Sequence, residues 1–237
     1  MQDFSDKNIL VVGASSGIGY ALAEQLVKEN ARVYSASRNK PQGLEANHTT
    51  LDVTQLQGNE LGNLPKELHG LAYCPGTINL KPFQRLKKED FLHDLEVNLL
   101  GAVGLIQQAL PNLKRAGAAS IVLYSTVAVS TGMGFHASIA AAKGAVEGLS
   151  KSLAAELAGA NIRVNVIAPS ITDTTLAGNL LSTDDKKAAS AQRHPLKKVG
   201  SPEEIAALSA FLLSDSAAWM TGQVIGVDGG MSSTRAL

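Results

Sequence analysis

The stretch from Asn8 to Glu29, NILVVGASSGIGYALAEQLVKE, leaves the chain few folds to choose from. Ile9, Leu10, Val11 and Val12 form an apolar run with the length and composition of a strand buried on both faces, and Gly13 ends it abruptly. Ile18, Leu22 and Leu26, with Ala21 between them, then recur at helical spacing up to Val27 and Lys28. The segment reads strand, tight glycine turn, helix. A helix entered this way presents unpaired backbone N–H groups and a partial positive charge at its N-terminus, which favours a phosphate. Gly13 permits the sharp turn, Gly17 lets a ligand approach the main chain, and Gly19 lets the helix lie close on the sheet. Ser15 and Ser16 add hydroxyls beside the same anion pocket. A ligand-free loop or a methyltransferase-like nucleotide site fits this stretch as well, so the rest of the chain has to decide.

Strand-like runs alternate with helical ones throughout: Arg32 to Ala36, His48 to Val53, Leu71 to Cys74, Ser120 to Tyr124, Ile162 to Ala168 and Gln223 to Val227. Such alternation predicts crossover connections and a doubly wound α/β fold, with about seven parallel strands and helices on both faces. At 237 residues and 45% hydrophobic content, one domain with a sizeable core is expected. Twenty-one basic residues balance twenty-one acidic ones with no dense Lys/Arg block, which argues against nucleic acid or an anionic membrane as partner. The lone cysteine, Cys74, excludes an internal disulfide, and no metal site is expected. Without a signal-like opening or an apolar run long enough for a bilayer, the expected location is the cytoplasm.

VGASSGIG is spaced G-x-x-x-G-x-G, and at this point the chain resembles the short-chain dehydrogenase/reductase family, whose opening is T-G-x-x-x-G-x-G. Val12 stands where the Thr would be. The resemblance spans essentially the whole chain and implies one Rossmann-type domain over residues 1–237. It also implies an NAD(P) cofactor, a small-molecule substrate and hydride transfer to or from a carbonyl or alcohol. Ile18 joins the glycines and serines of the elbow as an expected cofactor contact. At the end of the second strand, Ser37 occupies the place of a ribose-binding acid and Arg38 follows, which suits a 2′-phosphate and favours NADP(H) over NAD(H). Asp52, with Val53 beside it, falls where the family contacts the adenine; a turn-capping role accounts for the Asp equally well. Tyr73-Cys74-Pro75-Gly76 stands where the family has Asn-Asn-Ala-Gly, so Gly76 keeps the close backbone approach while Pro75 removes a donor. In IRVNVIAPSITDTT, Pro169, Thr172 and Thr174 match the family loop around the nicotinamide carboxamide, with Ser170 replacing its Gly. The ending, with a capped helix start at Ser201-Pro202-Glu203-Glu204 and a last strand closing on Asp228-Gly229-Gly230, is typical of the family.

Catalysis departs from that pattern. In the family a Ser precedes the catalytic Tyr by thirteen residues and a Lys follows it by four. Counting back from Lys143 in SIAAAK puts Ile139 at the Tyr position and Thr126 at the Ser position. Isoleucine has no proton to exchange, a Thr hydroxyl is too weak an acid, and an ordinary lysine titrates near pH 10. Thr126, Lys143 and Asn98 of VNLLG remain as the expected reaction-site residues, with water, His136 or Tyr124 as the proton source. Asn98 falls within one long helix, Glu89 to Leu113. Ser138 is expected to cap the next helix, whose stripe Ile139, Ala142, Val146, Leu149, Leu153 and Leu157 gives Ile139 a packing role. Gly144 and Gly148, with Gly101 and Gly104, are expected to let these helices pack closely; in the family the two helices form the homodimer or homotetramer interface. Leu176 to Lys198 is long, polar and partly helical, as expected of a substrate lid. The alternative to an oxidoreductase is a catalytically silent NADP(H)-binding subunit or sensor.

Overall fold

A computed structural model describes residues 3–234. Seven strands, β1 (Asn8–Val12), β2 (Arg32–Ser37), β3 (Asn47–Thr50), β4 (Gly70–Tyr73), β5 (Ala119–Tyr124), β6 (Ile162–Pro169) and β7 (Val224–Val227), form one parallel sheet in the order β3-β2-β1-β4-β5-β6-β7. The helices that cross between strands or cover their ends are α1 (Gly17–Lys28), α2 (Lys88–Leu95), α3 (Gly101–Arg115), α4 (Ala128–Thr131), α5 (Ala137–Leu157), α6 (Asp184–Gln192) and α7 (Pro202–Leu213). No helix among the described residues is long and apolar enough to cross a membrane.

Period-two alternation along the central strands divides the core between the two faces. Leu10, Val12, Ile121 and Leu123 pack with Ala102, Leu105 and Val146 of α3 and α5, while Ile9, Val11, Val122 and Tyr124 pack with Leu22, Leu26 and Ile205 of α1 and α7. Strand order reverses between β1 and β4, so the carboxyl ends of these strands diverge and open the crevice in which a doubly wound sheet takes its ligands. Ile121 is fully buried in β5, and truncation to alanine is expected to cost about 2–5 kcal/mol. A lowered urea midpoint at unchanged slope is the expected sign.

The structure corrects four local expectations. β3 ends at Thr50, not Val53, because Leu51 to Val53 already turn away from the strand and feed their apolar side chains into the core. The helix through Asn98 runs from Lys88 to Arg115, but a π-turn at Glu96–Leu100 interrupts it. Its cause is local: Asn98 Nδ2 donates to the Asp94 carbonyl at 2.7 Å, and the Gly101 N–H turns to Glu96 O, five residues back. α5 begins at Ala137 with His136 at its cap, and Ser138 is buried inside the first turn instead of capping it. Gly101 and Gly104 face inward, where a Cβ would strike the Tyr73 hydroxyl and Leu56, so they serve packing on the sheet and not helix pairing with α5.

Candidate functional site

The glycine elbow forms as the spacing predicts. Gly13 takes φ +80°, and a Cβ on Gly19 would overlap the Gly13 carbonyl. Ser16 stands at the α1 N-cap in extended geometry, yet no side chain caps the helix and its first turn holds no acidic residue, which leaves an anion site in the backbone. A cleft of about 400 Å³ opens over it, lined by Gly13, Ser15, Ser16, Gly17, Ile18 and Gly19. Arg38, Asp52 and Val53 form its outer end, and Pro75, Gly76 and Thr174 its inner one. The Pro75 ring lies 3.1 Å from the position a Gly13 Cβ would take, so it walls the elbow without filling it. Asp52 caps its turn, with Oδ1 accepting from the Thr54 N–H (2.9 Å) and hydroxyl (2.8 Å), and the residue lines the cleft. Those Thr54 donors hold its carboxyl below the usual range. Arg38 is exposed at the rim.

A second cavity of about 560 Å³ adjoins the first through Ile18, Gly76, Thr77 and Thr174, and collects Thr126, His136, Ile139, Lys143, Pro169 and Thr172. Thr126 Oγ1 accepts from the Ala128 N–H at 3.3 Å, which leaves its own hydrogen free for a ligand oxygen. Ile139 is 5% exposed, and Lys143 lies one turn along the same helix. Lys143 is buried as well, with Nζ donating to the Tyr124 carbonyl at 2.8 Å. Burial lowers its pKa to about 8, against the pull of Cys74 and Asp94, so the ordinary lysine value expected from sequence does not apply here. A groove of about 680 Å³ along the outer side of α1, between Glu24, Lys28 and Lys40, is larger but lies away from the strand ends.

Asn98 lines neither cavity; it is buried behind Gly76. Its Nδ2 also donates to Thr77 Oγ1 at 2.9 Å, whereas its Oδ1 is buried without a partner. Oδ1 and Lys143 Nζ converge on Gly76, at 3.3 and 3.5 Å from the place its Cβ would occupy. An orphaned acceptor beside a buried ammonium and a side-chain-free backbone is what a bound group with its own hydroxyls would complete. The uncapped elbow under an open cleft, with Gly76 leaving room beside Lys143, is an arrangement that suits a dinucleotide. Tyr124 borders the second cavity, but its hydroxyl lies 2.7 Å from Ser209 Oγ on α7 and burial raises its pKa well above the ordinary range, which argues against it as the proton source. Thr126 lies past the end of β5, so the two residues do not share a strand face.

Some site residues escaped the sequence. Thr77 donates to Asp94 Oδ1 at 2.6 Å, and Asn79 reaches Oδ2 at 3.4 Å, so a fully buried carboxylate braces the π-turn. The spacing of Asp94 four before Asn98, on one helix face, was the available signal. His194 gave none. It is buried in an otherwise polar segment, with Nδ1 at 3.0 Å from the Ser190 carbonyl and Nε2 at 2.8 Å from Ser170 Oγ.

The family described as Enoyl-(Acyl carrier protein) reductase matches residues 13–232. A tropinone reductase homologue of Arabidopsis thaliana is 35% identical over 242 residues, covering 95% of this chain and 92% of its own. Among solved structures, the ligand-free aldohexose dehydrogenase of Thermoplasma acidophilum superposes with a TM-score of 0.90 at 29% identity, covering 99% of this chain and 97% of its own. A putative NAD(P)-dependent gluconate 5-dehydrogenase from Beutenbergia cavernae, with NADP bound at low occupancy, gives 0.90 at 28% identity, covering 98% and 99%. Likeness of this extent, in sequence and in backbone, carries one conclusion: the chain belongs to the short-chain dehydrogenase/reductase family of NAD(P)-dependent oxidoreductases.

Proposed function

We propose that the chain is an NADP(H)-dependent oxidoreductase acting on a small carbonyl or alcohol, with Lys143 exchanging the proton that the family assigns to tyrosine. The buried Lys143 ammonium, anchored to the Tyr124 carbonyl and lowered to about 8, is the observation that carries this reading. When bound, the nicotinamide supplies or accepts the hydride. Thr126 presents its free hydrogen to the substrate oxygen, and Lys143 gives that oxygen a proton in reduction or takes one in oxidation. Asn98 offers its unpaired Oδ1 to the group or water beside Lys143 and so orients the transfer. His136, whose Nδ1 lies 2.7 Å from the Gly134 carbonyl, stands at the mouth as the route to solvent. Residues 1–237 act as one domain, and 176–198 close over the substrate as a lid. Assembly through the helices bearing Asn98 and Lys143 goes with this reading, since Leu92 and Leu100 stay about half exposed and Gly148 has open space around it.

The cofactor preference rests on Arg38. Fluorescence titration is expected to give tighter binding of NADPH than of NADH, with Arg38→Ala weakening NADPH about tenfold and leaving NADH unchanged. Equal affinities in the unaltered chain would reject the preference. A competing reading, the catalytically silent subunit, draws on the burial of Ile139 at the tyrosine position. Hydride transfer to any carbonyl by the unaltered chain excludes it.

A further inference from the structure

Resting on the oxidoreductase reading above, we propose that the substrate is a carbonyl or alcohol compound with an apolar body and a carboxylate, and that Arg193 and Lys186 receive the carboxylate. The cavity at the reaction end has an aliphatic wall that includes Ile78, Leu80, Met133, Leu180 and Met231. Lys143, Lys186 and Arg193 line it, but no Asp or Glu does. Such a charge pattern repels an ammonium and leaves an anion as the complementary end of a ligand.

The two outer cations are placed by the helix that carries them. Lys186, Ala189, Ser190 and Arg193 follow one another at i, i+3, i+4 and i+7, which is a single face of α6 and its C-cap, and all four line the cavity. That face is tied at both ends to the segment that follows β6. The neighbouring Lys187 is ion-paired with Asp173, and the buried His194 ties the end of α6 to Ser170. Lys186 Nζ reaches only neutral groups, Ser182 Oγ at 3.0 Å and the Asn179 carbonyl at 3.4 Å. The nearby carboxylates of Asp173, Asp184 and Asp185 lie outside the cavity lining. Among the described residues the Arg193 guanidinium has no ion-pair partner, and a guanidinium beside an apolar slot suits a carboxylate, which it binds through two parallel hydrogen bonds.

Calorimetric titration of the full chain with hexanoate and hexanamide, with and without NADP⁺, tests this. Hexanoate is expected to bind at least tenfold more tightly than hexanamide. The double variant Lys186→Glu, Arg193→Glu is expected to lose that preference, Arg193→Lys to keep most of it, and Lys186→Gln with Arg193→Gln to serve if the charge reversal disturbs folding. Equal or better binding of hexanamide, or a preference that survives the double variant, would overturn the inference. Failure of NADP⁺ itself to bind overturns the nicotinamide reading and this inference with it, whereas NADP⁺ binding without the carboxylate preference overturns this inference alone.

Discussion

Replacing Gly19 by alanine is expected to weaken NADPH binding at least a hundredfold, about 2.8 kcal/mol. The added methyl would overlap the Gly13 carbonyl oxygen, sit 2.8 Å from the Gly13 carbonyl carbon and press on Cys74 Cβ at 3.2 Å. Two of those three atoms are backbone of the turn that forms the anion site, so relief requires moving the turn itself. Over-packing of this kind destabilises by about 1–3 kcal/mol, which leaves the chain folded with its donors misdirected. Gly159→Ala is the control, because nothing lies within 4 Å of the position its Cβ would take. Titration by the fluorescence of NADPH itself, checked by calorimetry, reads the affinity. NADPH binding that survives Gly19→Ala would separate the elbow from the diphosphate and remove the ground for placing a dinucleotide there.

The sheet was legible because burial on both faces writes itself into composition. β1 and β5 are apolar but for Asn8 and Ser120, and β6, though broken by Arg163 and Asn165, keeps Val164 and Val166 to Ala168, so their positions follow from counting. β3 was legible in its place but not in its end, since NHTT carries no apolar residue and its apolar neighbours Leu51 and Val53 belong to the turn beyond it. The elbow and Thr126, Ile139 and Lys143 could be placed because one strand end and one helix fix them. Asn98 could be named but not its effect: the π-turn arises from an amide competing for a carbonyl, a contest that helical periodicity does not record. Ser138 misled because a polar residue before an apolar stripe resembles a cap, whereas its hydroxyl meets Asn79 across the site at 3.4 Å. His194 and Arg193 were illegible, since His194 reaches Ser170 across 24 residues, Arg193 only borders a cavity, and their segment has no apolar period.

Lys143→Met is expected to lower the turnover of carbonyl reduction by about 10²–10⁴, the range for loss of a positioned acid. Methionine keeps the buried stem and removes only the ammonium. The pH profile distinguishes loss of an acid from loss of packing. Reduction requires the protonated amine, so its rate is flat below pH 8 and falls as pH rises through about 8; oxidation requires the free amine and rises to a plateau above it. Besides Lys186, Arg193 and the buried Tyr124, the titratable groups around the cavity or Lys143 are Cys74, Asp94 and His136. Burial pushes the Cys74 thiol up to about 12, outside the window. Asp94 is engaged by Thr77 and Asn79, and His136→Gln tests the imidazole directly. If Lys143 is the acid, His136→Gln leaves the inflection near 8 in place and Lys143→Met abolishes it. Ile139→Tyr adds a second acid one turn away on α5 and is expected to raise the rate of the unaltered chain and to restore part of it in Lys143→Met. An inflection that persists in Lys143→Met would assign the proton to another group, and activity found only after Ile139→Tyr would make the natural chain a binding protein on an enzyme's frame.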